Sequence, residues 1–352
     1  MYTLSQTLNG EFTFSSVNST SNIGEAWATI YSTILGRDNA GQFSLVNFIG
    51  SWEMTRRFYA AGHTTYNFSS ATINVTTDLN SEFGVWLEKP FIKIVGGIFT
   101  GSFSGNSSPV SSLWRPCMFF LKSAENASID GLTITNCHVN GIFITDSSNN
   151  CVTISNCSLQ SCKVRGIWAL SANGVVVSNC NVQNCSLDGI DIDTNSNNCV
   201  IKDNTCESNG RHGIFVEEGA NGITVINNKS NKNNCGVCVE SNVVSKTRCV
   251  NVLQNSCENN DTGIFIDALP GKLTSNVSVR NNTFNNNSTG IAIRWNVKNV
   301  VCTKNTCNGN SRYGISISEE EKDTPKTLIK VSGNYCSNNA LKNIYSPIIS
   351  AS

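Results

Sequence analysis

The sequence predicts an all-β solenoid on three observations: a unit of about 24 residues repeated through most of the chain, an apolar period of two inside each unit, and polar columns kept in register. From residue 130 onward one pattern recurs nine times: an apolar strand, Asn, a short polar stretch, Gly-Ile or a near equivalent, and a second strand. The Asn column is Asn136, Asn156, Asn179, Asn204, Asn228, Asn255, Asn282, Asn305 and Asn334. The glycines that follow are Gly141, Gly166, Gly189, Gly213, Gly236, Gly263, Gly290 and Gly314, with Asn343 standing in the ninth copy. Glycine spacings of 25, 23, 24, 23, 27, 27 and 24 residues mark units that bury their apolar faces by stacking on one another.

Taken in order, residues 1–75 do not repeat and predict an N-terminal cap. Within it, residues 21–35 read as an amphipathic helix: Ser21 or Asn22 can cap it, and Ile23, Trp27, Ile30, Ile34 and Leu35 fall on one face. Such a helix plugs the open end of a solenoid, which would otherwise expose apolar side chains and strand edges. Short strands are expected over 43–49, 71–76 and 91–99, and the solenoid over 76–352. Inside each unit, as in Gly189-Ile190-Asp191-Ile192-Asp193, the isoleucines point one way and the aspartates the other. The Asn column is expected at tight bends, where Asn and Gly tolerate left-handed backbone and Asn can bond the coils above and below. The closing segment, residues 344–350, is a weak cap that trimerisation or a further C-terminal piece would cover.

Composition narrows the partners. Charged residues are 14% and the formal net charge is zero, so neither nucleic acid nor an anionic membrane has an electrostatic reason to bind. A neutral or locally patterned ligand such as a polysaccharide fits this surface. No run approaches the roughly 18 apolar residues of a membrane span. The first basic residue is Arg37 and the opening residues lack a hydrophobic core, so no secretory signal is recognised. An extracellular or virion-associated protein would then leave its cell by another route, such as assembly into a virus particle. The 16 cysteines follow the repeat: Cys206, Cys257, Cys307 and Cys336 sit two residues after the column Asn, and Cys137, Cys157 and Cys180 one after. That placement assigns them to the core as small hydrophobes. The CGVC of residues 235–238 has the form of a redox or zinc half-site but lacks a second pair.

The repeat, KPFIKIVGGIFTG at residues 89–101, and the stretch SLDGIDIDTNSNNCVIKDNTCESNGRHGIFV carry a family resemblance. The chain resembles the right-handed parallel β-helix of pectate-lyase-like proteins, in particular the short-coil NosD and mannuronan C5-epimerase repeats. By resemblance to alginate C5-epimerases, Asp191 falls on the catalytic Asp, and Arg211 and His212 on the Arg-His-Gly of a later coil. Ile190, Ile192 and Asp193 depart from that motif, standing where the aromatic, Pro and His are expected. A looser likeness to polygalacturonases would use Asp188, Asp191, His212 and Arg294, without that family's Asp-Asp pair.

Independently of any family, the positions two and four after each Gly place Trp168, Asp191, Asp193, Phe215, Glu217, Glu240, Asp267 and Arg294 on one sheet face. Arg165, Asp188, Arg211 and His212 lie just before the glycines. Strand geometry spaces Asp191 and Asp193 by about 6.5–7 Å and stacked Asp193 and Glu217 by about 5 Å, which suits either pattern of glycosidase carboxylates. The mechanism expected has Asp191 and Glu217 as acid and base, with Asp188 and Asp193 as electrostatic partners. Crowding among Asp191, Asp193 and Glu217 could instead be relieved by Ca²⁺. Arg211 and Arg165 would hold a uronate carboxylate, Trp168 and Phe215 would stack on sugar rings, and Glu240, Asp267 and Arg294 would line the substrate path. Three function classes follow: a polysaccharide hydrolase, lyase or epimerase, which is the reading adopted; a non-catalytic tailspike or receptor-binding protein; and a structural or adhesive solenoid.

Overall fold

The computed structural model describes residues 1–7, 9–17, 21–76, 84–101, 117–146, 151–242, 246–318 and 328–346. The chain folds as a parallel β-solenoid of about 10 turns. It divides into two compact units, Met1–Trp168 with Ala172–Asn181, and Ala169–Ser171 with Val182–Ser352. Among the described residues no helix is long and apolar enough to cross a membrane.

The first unit opens with an antiparallel hairpin, Tyr2–Gln6 against Glu11–Ser16. Parallel pairing starts at once: Glu11–Ser16 lies along Ser44–Met54, which lies along Thr64–Val75. Thr64–Val75 pairs with both Lys93–Val95 and Ile98–Gly101. The break between those two short strands falls at Gly96 and Gly97, with φ of 61° and 100°, the second a value that only glycine adopts without strain. A second wall stacks Phe58–Ala60, Val85–Leu87, Cys117–Lys122 and Asn140–Thr145. Between the walls runs a column of buried rings, Phe14 on Phe48 at 5.4 Å, Phe48 on Phe68 at 4.9 Å, and Phe68 against Phe99 at 5.4 Å.

The expected helix is present but split into Ile23–Ala28 and Tyr31–Asn39. Asn22 caps the first, accepting from the backbone N–H groups of Gly24 and Glu25. It ends because the Thr29 hydroxyl donates to the Ala26 carbonyl at 2.7 Å, and the Thr29 N–H closes a tight turn on the same oxygen. Ile23, Trp27, Ile30 and Ile34 are nevertheless all buried. Trp27 stacks on Phe58 at 5.0 Å and meets Tyr66 edge-on, so the helices cover the aromatic interior of the first coils.

In the second unit the interior is a ladder of aliphatic pairs: Ile190 opposite Ile214, Ile214 opposite Val237, Val237 opposite Ile264, Ile264 opposite Ile291, and Ile291 opposite Ile315. Each such side chain contributes up to roughly 1.5–3 kcal/mol by leaving water. Two asparagine ladders hold the bends. In one, Asn204, Asn228, Asn255, Asn282 and Asn305 each donate from Nδ2 to the Oδ1 of the next, ending on Asn334, at 2.9–3.0 Å. In the second ladder, on the far side of the same short strands, the backbone N–H groups of Asn209, Asn233, Asn260, Asn287 and Asn310 each donate to the Oδ1 of the next, ending on Asn339, at 2.8–3.0 Å.

Two expectations about the columns need correction. Asn136, Asn156 and Asn179 adopt φ of 52–53° and sit one position before the ladder, where Asp203, Asn227 and Asn281 stand in later coils. The ladder position itself is filled by Cys137, Cys157 and Cys180 in these coils, and the Cys157 and Cys180 thiols donate to backbone carbonyls, of Ser155 at 3.1 Å and Ser178 at 3.3 Å. The repeat glycines, in turn, are not left-handed. A Cβ on Gly189 would lie 2.6 Å from the Gly213 carbonyl oxygen, on Gly236 2.6 Å from that of Gly263, and on Gly263 2.5 Å from that of Gly290. They are glycine because the next coil passes that closely. All 16 cysteines are unbridged; Cys151 and Cys249 are exposed, and Cys336 is half-buried. Of the closing segment, residues 347–350 lie outside those described.

Candidate functional site

The densest group of ionisable side chains lies in the second unit, on the strands Ile190–Asp193 and His212–Val216 and the turns that enter them. Parallel pairing sets Asp191 opposite Phe215 and Ile192 opposite Val216. The next residue, Glu217, donates its N–H to the Ile192 carbonyl at 2.9 Å, which fixes it beside Asp193. The same step recurs coil by coil: Glu240 N–H to Val216 O, Asp267 N–H to Val239 O, and Arg294 N–H to Ile266 O. Asp193, Glu217, Glu240, Asp267 and Arg294 therefore form one continuous column.

Asp191, Asp193 and Glu217 converge, with one carboxylate oxygen from each lying within 4.8 Å of the others. Among the described residues no other three His, Cys, Asp or Glu side chains come together in this way. The donor set is all carboxylate, which suits a hard cation such as Ca²⁺. Asp193 also accepts from the Thr194 N–H at 2.5 Å and its hydroxyl at 2.7 Å.

Asp188 is 0% exposed. It accepts a two-pronged bond from Arg211, Nε at 2.9 Å and Nη2 at 2.5 Å, and a third from the His212 N–H at 3.2 Å. Burial works against the Arg211 charge, but the Asp188 bonds overcome it, aided by the charges of Asp188, Asp191 and Glu217, and the guanidinium pKa ends above its ordinary value. The Arg211 fork is thus engaged by Asp188, and its flat face lies 4.7 Å from the Phe215 ring centre. Arg211 thereby stands as a fixed countercharge to Asp188, Asp191 and Glu217.

Several residues sit differently from the arrangement expected. Asp191, at 0% exposed, and Asp193 and Glu217, at 8% each, lie on the outward side of their strands yet are covered. Phe215 is 1% exposed, lidded by Arg211 and by the His212 ring at 4.6 Å, so it does not stand as an open stacking platform. His212 is drawn to a different group. It lies opposite Cys235 on the next strand, whose thiol is raised by burial but lowered more by Cys238 and by His212, ending at about 6. Cys235 and Cys238 pack with Phe215 and Phe265. Glu240 accepts from the Cys238 thiol at 3.7 Å. Burial, with Glu240 adding, pushes the Asp267 carboxyl up to about 6.

Arg165 and Trp168 belong to the first unit. There the Arg165 guanidinium lies 4.6 Å from the Trp168 ring centre, and Trp168 stacks on Phe143 at 4.3 Å. They close an aromatic row that the sequence reading missed, Tyr59 on Trp86, Trp86 on Phe120, and Phe120 on Phe143. Its signal was one outward aromatic per coil, hidden because no glycine column marks the early coils.

With this geometry in hand, comparison with known proteins fixes the class. A family profile described as a right-handed beta helix region matches residues 110–249. No curated protein matches the chain. Among solved structures, the Dettilon tailspike protein superposes with a TM-score of 0.70 at 17% identity, over 95% of this chain and 67% of that one. The Streptococcus pneumoniae surface protein and adhesin PfbA gives 0.65 at 15% identity, over 94% and 97%. The A-module of the Azotobacter vinelandii mannuronan C-5 epimerase AlgE6 gives 0.53 at 16%, over 94% and 97%. At these identities the likeness establishes the fold: the protein is a right-handed parallel β-helix.

Proposed function

We propose that this protein binds a polysaccharide and cleaves or modifies it at Asp191, Asp193 and Glu217. The observation that carries the reading is the approach of three carboxylates to within 4.8 Å beside a guanidinium that Asp188 holds in place. Carboxylates this close to one another can divide the work, one serving as acid while another acts as base or nucleophile. The nearest oxygens approach more closely than the roughly 6.5–9.5 Å that an inverting hydrolase leaves for its water. The spacing favours direct attack or proton abstraction, with Asp191 and Glu217 in the acid and base roles. Arg211 steadies the negative charge that develops, and Glu240, Asp267 and Arg294 continue the path. A Ca²⁺ ion held by the same three carboxylates would supply charge stabilisation instead, and chelation would then abolish turnover.

The similarity to a tailspike, an adhesin and an epimerase supports a polysaccharide ligand and an extracellular or virion-associated setting. The burial of Asp191 favours a second reading, a non-catalytic receptor-binding spike that assembles as a homotrimer. One panel separates them: alginate, pectate and neutral glycans assayed for new reducing ends, for unsaturated uronate absorbance, and by NMR for epimerisation. Turnover on any of them, lost in Asp191→Asn, supports the enzyme. Binding without turnover, with a trimeric mass in solution, replaces it with the spike.

A further inference from the structure

The outward column of the second unit changes character along its length. Successive strands set Asp191, Phe215, Cys238, Phe265, Ala292, Ser316 and Tyr345 opposite one another. At Ala292 and Ser316 the side chains shrink for two rungs, opening a recess about 10 Å long at the rung spacing of a sheet. A cavity of about 410 Å³ occupies it, lined among others by Asp261, Thr289, Arg294, Arg312, Tyr313 and Ser316. That volume is within the usual range for a small-ligand site, roughly 300–1,000 Å³.

Two guanidiniums face this recess. Arg294 rests over the Phe265 ring at 4.9 Å and Arg312 over Tyr313 at 5.5 Å, which limits their freedom before any ligand arrives. Among the described residues neither forms an ion pair. The four acids of the neighbouring column give way to a base at this point, since Arg294 succeeds Asp267. Tyr313 offers a partly open ring, Asp261 and the Ser and Thr hydroxyls offer partners for sugar hydroxyls, and the arginine pair offers the planar fork that a carboxylate fits. A lone phosphate would use the arginines and be repelled by Asp261; a sugar acid uses the whole set.

We infer that the recess between Arg294 and Arg312 is a subsite for the carboxylate-bearing ring of an acidic glycan. It rests on the reading that a glycan lies along this face, and it places a uronate unit about three rungs, some 14 Å, from Glu217. The subsite selects acidic over neutral chains, whatever happens at the acid cluster.

Calorimetry of the full chain with hexamers of mannuronate, galacturonate and glucuronate, and with a neutral hexamer, tests this. At least one oligouronate should bind in preference to the neutral hexamer, more weakly as salt rises. Arg312→Gln and the recess-filling Ser316→Phe should each weaken it about tenfold or more, while Asn251→Ala, exposed on the other sheet, binds like the wild type. Because both substitutions lie at the surface of the coil, unchanged circular dichroism and melting separate lost binding from lost fold. Equal binding by wild type and both variants, or no binding of any oligouronate to the wild type, overturns the subsite. Lost turnover in Asp191→Asn with retained binding bears on the acid cluster alone, so the two ideas fail separately.

Discussion

Arg211 donates two parallel hydrogen bonds to Asp188, a carboxylate fully removed from solvent, across adjacent coils of the solenoid. The pair pins the turn that delivers His212 and Phe215 to one strand and Asp191 to the one before it. Removing the cation leaves a buried, uncompensated charge. Arg211→Ala should therefore cost about 3 kcal/mol in chemical denaturation. Arg211→Lys keeps the charge but not the fork and should lose less; equal losses for both would mean that the second prong contributes nothing.

Asp191→Asn is nearly isosteric and removes the titrating group from the cluster. If the acid and base roles are correct, turnover falls about 10²–10⁴-fold while melting and circular dichroism are retained. An unchanged rate would remove Asp191 from the mechanism.

The asparagine ladder should be the most sensitive part of the second unit. Asn255 donates to Asn282 and to the carbonyls of Val225 and Leu253, and accepts from the backbone N–H of Asn228, all at 2.9–3.0 Å. Asn255→Ala orphans buried groups in its own coil and its neighbours, at about 1–3 kcal/mol for each. A drop in denaturation midpoint well beyond that of an exposed Asn251→Ala control checks it, and parity between the two would show that water replaces the ladder without penalty.

The Asp267 carboxyl is raised to about 6 by burial, with help from Glu240, from an ordinary value of 3.8. Between those values the folded protein holds the proton that the unfolded chain releases, so this group's contribution to stability falls as pH rises through the window. Asp267→Asn removes the cost of the buried charge. Its melting temperature should exceed the wild type's by more at pH 7 than at pH 4; a gap independent of pH would contradict the shift.

Much of this was legible in the sequence because a solenoid turns chain spacing into spatial neighbourhood. The regular glycines placed Glu217, Glu240, Asp267 and Arg294 in one column, and the column is there. What the spacing could not convey was cover. Period two sends Asp191 outward, but only the packed neighbours on either rung show that outward here is still dry. Nor could spacing distinguish an asparagine in the ladder from one in the left-handed position before it, because both are Asn in a polar run. Asn179 and Asn204 look alike in sequence, yet only the first has φ near 53°. The break after Ala28 was hidden for a similar reason, since Thr29 disturbs a helix through its hydroxyl without disturbing the apolar stripe.

The asparagine ladders have a direction. Each rung's backbone N–H is completed by the Oδ1 of the rung that follows it in the chain, as Asn228 is by Asn255 and Asn255 by Asn282. Losing the coil that follows bares the backbone N–H of the ladder asparagine, whereas losing the coil that precedes bares its Oδ1 and the Nδ2 hydrogen that reached back, as Asn255 reaches the Val225 carbonyl. The two faces of a coil are therefore chemically unlike, and a cap fitted to one face of the ladder is not fitted to the other.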